Sequence, residues 1–183
     1  MLQIPPMPAW DSMHVVVIHF PIALLLLSPI FIAISAVLTP PRGRPYMIAA
    51  LITLVLGTIS VFVAVSTGHA SAELTDRGGA VAAVLKMHEG LAEDTEIVFA
   101  GLSAILLGMY AVPRLLRRDE NRLFSTFLPC AFLALYTAGF LFLTNTAHAG
   151  GRLVHEFGVH ALLPADQVQD TSPKSHSDTA DSR

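Results

Sequence analysis

Four long apolar blocks, separated by short polar connections, constrain this chain more than any other feature. They cover residues of about 14–39, 46–69, 95–116 and 123–148. A helix needs about 20 mainly apolar residues to cross the roughly 30 Å hydrocarbon layer. At that depth no water satisfies the backbone, so such segments must be helical. The sequence therefore predicts an all-α integral membrane four-helix bundle. Only 14% of the 183 residues are charged and 53% are hydrophobic, against roughly 25% charged in an average soluble domain. The run from His14 to Thr39 exceeds the roughly 7–15 residues of a signal h-region, and no Lys or Arg precedes it, so it reads as a retained span.

The connections 40–45 and 117–122 are too short for anything but antiparallel neighbours, which makes two helical hairpins. They and the adjoining helix end carry Arg42, Arg44, Arg114, Arg117, Arg118 and Arg122, against Arg77, Lys86 and Arg152 at the opposite ends. By the positive-inside rule the tight turns face the cytoplasm. Both termini and a 70–94 connection then lie outside, in the periplasm if the membrane is a bacterial inner membrane. Pro21 falls in the first turn of its helix, while Pro29, Pro113 and Pro129 are expected to bend theirs. The membrane domain spans 1–163, and the polar stretch 164–183 reads as a disordered tail. Gly150 and Gly151 are expected to break the fourth helix, after which a short apolar run folds back as a periplasmic lid. Cys130 reads as a small buried hydrophobe. A net charge of −3 offers no basic patch for nucleic acid.

Seven of the eight histidines map to one side: His14, His19, His69, His88, His148, His155 and His160. A lone His at a helix end is most often an interfacial residue bonded to water. His19 lies deeper, and a buried unpaired imidazole costs a few kcal/mol. His19, His69, His88 and His148, one from each span, form a constellation rather than a scatter. Such a ring suits haem b, its iron held axially by imidazoles from facing helices, with His14 or His69 completing the set. Gly68, Gly90, Gly150 and Gly151 leave room beside these positions, although small residues also permit ordinary close packing in lipid. A bare transition metal is the competitor, with Glu73, Glu89, Glu93, Asp94 and Glu96 on the same side; solvated carboxylates are the plainer explanation of those. No CxxCH motif for covalent haem attachment occurs. Neither does a phosphate-binding loop or a nucleophile elbow, so the chain reads as an electron carrier or accessory subunit rather than a stand-alone enzyme. A faint internal repeat aligns Ser66-Thr67-Gly68-His69-Ala70 with Asn145-Thr146-Ala147-His148-Ala149, and His19 with His88.

The segment His14-Val15-Val16-Val17-Ile18-His19-Phe20-Pro21-Ile22-Ala23-Leu24 resembles the opening signature of a bacterial four-span membrane family, domain-of-unknown-function family 2231. The likeness continues at Thr67-Gly68, at His88-Glu89 and at Ala147-His148-Ala149-Gly150-Gly151-Arg152-Leu153-Val154. It implies a membrane protein of undefined activity. Some members resemble partners of cytochrome c modules, which implies haem b as cofactor and a periplasmic cytochrome c, or other subunits of a membrane complex, as partners. On that basis His14, His19, His88 and His148 stand at the family's histidine positions. The family often has an acidic residue where this chain has His69, Tyr where it has His155, and His where it has Phe157. Two further functions stay open: a non-catalytic accessory subunit of a larger membrane complex, and a transition-metal-binding membrane protein.

Overall fold

A computed structural model describes residues 7, 9–38, 40–75, 78–117 and 123–159. The tail expected over 164–183 lies outside the described residues, as do His160, Arg77 and Arg118–Arg122. A 3-10 turn, Trp10–Ser12, precedes α1 (His14–Val17) and α2 (His19–Val37). After these come α3 (Arg44–Glu73), α4 (Gly79–Leu115), a π turn at Leu123–Phe127 and α5 (Leu128–His155). Four helical stretches are long and apolar enough to cross a membrane: His14–Val37, Arg44–Glu73, Gly79–Leu115 and Leu123–His155.

Proline chemistry shapes the first span. Pro21 has no N–H to offer the carbonyl of Val17, and its ring crowds that carbonyl. The helix is interrupted at Ile18, one residue after the orphaned group. Pro29 lies inside α2 and leaves the carbonyl of Leu25 without its helical donor. Tyr136 of α5 supplies one instead, its hydroxyl donating to Leu25 O at 2.7 Å. A proline in one hairpin is thus satisfied by a phenol from the other. One turn along, Ser28 donates to Ala50 O at 3.1 Å.

α2 packs against α3 and α5, and α4 packs against the same two. The spans α2 and α4 therefore stand across the bundle's diagonal. The centre is closed by Leu25, Ile32, Leu54, Phe99, Leu106 and Tyr136. Gly57 and Gly139 set the close approach within each hairpin, since a Cβ there would meet Leu25 Cδ2 or Leu102 Cδ1 at 2.7 Å. Only 22–33% of the most apolar window of each span is buried within the chain. The large apolar remainder fits lipid and not water.

Three expectations need correction. The third span begins at Gly79 and not near 95, so most of the expected 70–94 connection is helix. At 37 residues α4 is about 55 Å long, well beyond the hydrocarbon thickness, and its first turns project from it. Those turns are amphipathic: Val84 and Leu85 are buried while Lys86, Glu93 and Asp94 are exposed, which is why mean hydropathy conceals them. Second, Gly150 and Gly151 do not end the last helix, which runs to His155. The reversal occurs at Gly158 (φ 65°), whose N–H donates to Val154 O at 3.1 Å. Phe157 and Val159 then fold onto a small cluster of Ala72, Val84, Leu85 and Leu153. Third, Cys130 is exposed.

Candidate functional site

All six described histidines lie at the end of the bundle where α3 finishes and α4 begins. The structure brings two of them together. His14 and His88 sit on diagonal spans, with ring centroids 6.4 Å apart and planes at 81°. Both are partly buried, whereas His19, His69, His148 and His155 are exposed. His69 Nε2 lies 3.6 Å from Glu93 Oε1 across α3 and α4, in an open setting.

Helical phase explains the sorting. Successive residues turn by about 100°. A chain that points His14 inward therefore carries His19, five residues on, to the outer face. His69 follows Gly68 by one residue and His148 precedes Gly150 by two, and it is these two glycines that face the paired rings.

Each imidazole is held in the same way. His14 Nδ1 lies 2.9 Å from Ala64 O, and His88 Nδ1 lies 3.0 Å from Thr146 O. A carbonyl only accepts, so in both rings Nδ1 carries the proton and donates. The neutral ring then keeps its lone pair on Nε2, the tautomer in which a histidine ligates metal. Ala64 and Thr146 each stand one helical turn before a glycine, Gly68 and Gly150. A Cβ on Gly68 would sit 3.0 Å from His14 Cε1, and one on Gly150 would sit 3.0 Å from His88 Cε1. The bare backbone at each glycine forms a notch that lets the ring reach the carbonyl beside it.

Further contacts hold the pair in place. Thr67 Oγ1 is 3.4 Å from His14 Nδ1 and bonds back to Ala64 O at 3.0 Å. Ser71 donates to the carbonyl of Asp11, which ties the N-terminal turn to α3 just outside His14. On the other side Thr146 donates to Leu91 O at 3.0 Å and meets Thr95 Oγ1 at 2.8 Å, fastening α4 to α5.

The geometry also revises the internal repeat. Advancing 74 residues carries His14 to His88, Leu25 to Phe99 and Ile32 to Leu106; advancing 82 carries Gly57 to Gly139, Ala64 to Thr146 and Gly68 to Gly150. The equivalence thus pairs His14, not His19, with His88, and shifts the second helices by three residues from the sequence alignment. The signal available in the sequence was the small residue four positions after Ala64 and Thr146.

A family model described as "Predicted membrane protein (DUF2231)" matches residues 11–162. The chain belongs to this family. The matched stretch takes in all four spans and both notched histidines, and it ends just past the fold-back at Phe157–Val159. No curated protein and no solved structure matches this DUF2231 chain. Among the described residues, no three His, Cys, Asp or Glu side chains gather as a group able to hold a metal ion.

Proposed function

We propose that this DUF2231 protein is a b-type-cytochrome-like membrane subunit in which His14 and His88 would hold one haem. The observation that carries this reading is the notched pair itself. Two imidazoles on diagonal spans present the ligating tautomer, each locked through Nδ1. Their ring centroids stand 6.4 Å apart, so both imidazoles would be near enough to hold one metal centre. The donor chemistry fits haem better than a bare transition ion, because a porphyrin supplies four ligands and asks the protein for two.

Bound haem would supply one-electron chemistry. The chain's own part is to fix the orientation of the two imidazoles through the Ala64 and Thr146 carbonyls. Following the arginine asymmetry, this end faces the periplasm of a bacterial inner membrane, where a cytochrome c or another subunit of a membrane complex would exchange electrons with it. His19, His69 and His148 have no axial role in this reading.

A reduced-minus-oxidised optical spectrum of the purified full chain, supplemented with haem, tests it. A b-type α band that disappears in both His14→Ala and His88→Ala, but persists in His19→Ala and His148→Ala, is the expected result. A featureless spectrum in the parent chain sinks it. A second reading has its own support: each imidazole hydrogen-bonds to a neighbouring helix, so the pair also serves a non-catalytic accessory subunit as an interhelical fastener. Under that reading the two alanine variants lose thermal stability and no spectrum ever appears.

A further inference from the structure

We propose that the end of the bundle opposite the histidines holds a binding site for the headgroup of an anionic phospholipid. A half-open cleft lies there between the helix ends. Its polar lining comes from Ser35, Arg44, Tyr110, Arg114 and Ser125. The four candidate spans terminate at Val37, Arg44, Leu115 and Leu123 on this side, so the cleft opens at the level where phospholipid headgroups lie.

The chemistry of the lining selects an anion. Arg44 and Arg114 come from different helices, and the described lining residues include no carboxylate. The Arg114 guanidinium is already fixed: it stacks 3.5 Å above the Tyr110 ring, and one nitrogen donates to Tyr110 O at 2.7 Å. A guanidinium has five N–H donors in a rigid fork, so donors remain for phosphate oxygens, and the ordering cost is largely met before binding. Arg44 opens α3, where the helix dipole adds to its charge. Leu38, Met47, Met109 and Phe124 add apolar lining, and they suit the first carbons of acyl chains. A lining that joins two arginines to apolar side chains matches a lipid better than a free phosphate, which would gain nothing from the methionines. Basic pockets between transmembrane helices are a known form of anionic-headgroup recognition.

The test uses the full chain in a neutral detergent. Phosphatidylglycerol, phosphatidylcholine and inorganic phosphate are added separately, and bound lipid is counted by native mass spectrometry alongside thermal unfolding. Phosphatidylglycerol should be retained and should raise the unfolding midpoint, with the other two inert. Arg44→Gln combined with Arg114→Gln should weaken retention roughly tenfold or more. Arg114→Lys, which keeps the charge and the fold but loses the stacked fork, should weaken it less. Arg42→Gln with Arg117→Gln, outside the cleft, should leave it unchanged. Equal retention of phosphatidylcholine overturns the proposal, and so does inorganic phosphate matching the lipid. An equal loss in the Arg42/Arg117 variant overturns the cleft as the site. None of these outcomes depends on whether haem binds at the far end.

Discussion

The two hairpins use one device with different supports. In the first, His14 sits on a four-residue helix cut off by Pro21, and its place depends on the Trp10–Ser12 turn tied to α3 through Ser71 and Asp11. In the second, His88 rides an uninterrupted 37-residue helix, braced one turn deeper by the Thr95–Thr146–Leu91 hydrogen bonds. Equivalent rings thus reach equivalent glycines, one from a short segment held by a turn and one from a rigid rod. A four-residue helix has few turns of its own to fix its direction, whereas a position inside a long helix inherits it. The His14 half should therefore be the more easily displaced.

The largest effect should come from the rings themselves. Under the proposed haem reading, His14→Ala or His88→Ala should each remove the b-type α band, because two imidazoles are needed for a low-spin iron; unequal residual spectra in the two variants would show that the halves are not equivalent. Next, Gly68→Ala and Gly150→Ala place a methyl 3.0 Å from an imidazole carbon. Each should cost about 1–3 kcal/mol in thermal or denaturant unfolding. The Gly68 variant should cost less if the His14 segment yields, and a larger Gly68 penalty would reverse the ranking of the halves. Tyr136→Phe leaves the Leu25 carbonyl without a donor beneath Pro29 and should destabilise by about 1–2 kcal/mol. Leu54, the equivalent of Tyr136 in the first hairpin, carries no hydroxyl, so Leu54→Ala would register lost packing alone. Smaller again is Thr146→Val, expected near 0.6 kcal/mol, read as faster hydrogen exchange at the start of α4. His148→Ala should leave both stability and spectrum unchanged.

Much of this was legible beforehand. Apolar runs too long for a soluble core, and arginines gathered at two turns, specify spans and hairpins without any reference to contacts. The gathering of histidines at one end follows from the same topology. What the sequence obscured had definite causes. Residues 79–94 alternate Val84 and Leu85 with Lys86, Glu93 and Asp94, so averaging hides a helix that leaves the bilayer. Gly150 and Gly151 look like a stop signal, yet in a packed span a glycine more often admits a neighbour, here the ring of His88. His19 seemed the deepest imidazole by its distance along the chain, but depth along an axis says nothing about direction around it.

Periodicity and length, which are local properties, determined that this chain is a four-span bundle with an imidazole-rich end. Which imidazoles meet was decided only by tertiary structure. A rotation of one residue, about 100° around a helix axis, separates a ring that faces the bundle interior from one that faces lipid. That phase is set by the packing of Gly57 on Leu25, Gly139 on Leu102 and the glycine notches at 68 and 150, contacts between helices that composition alone cannot count.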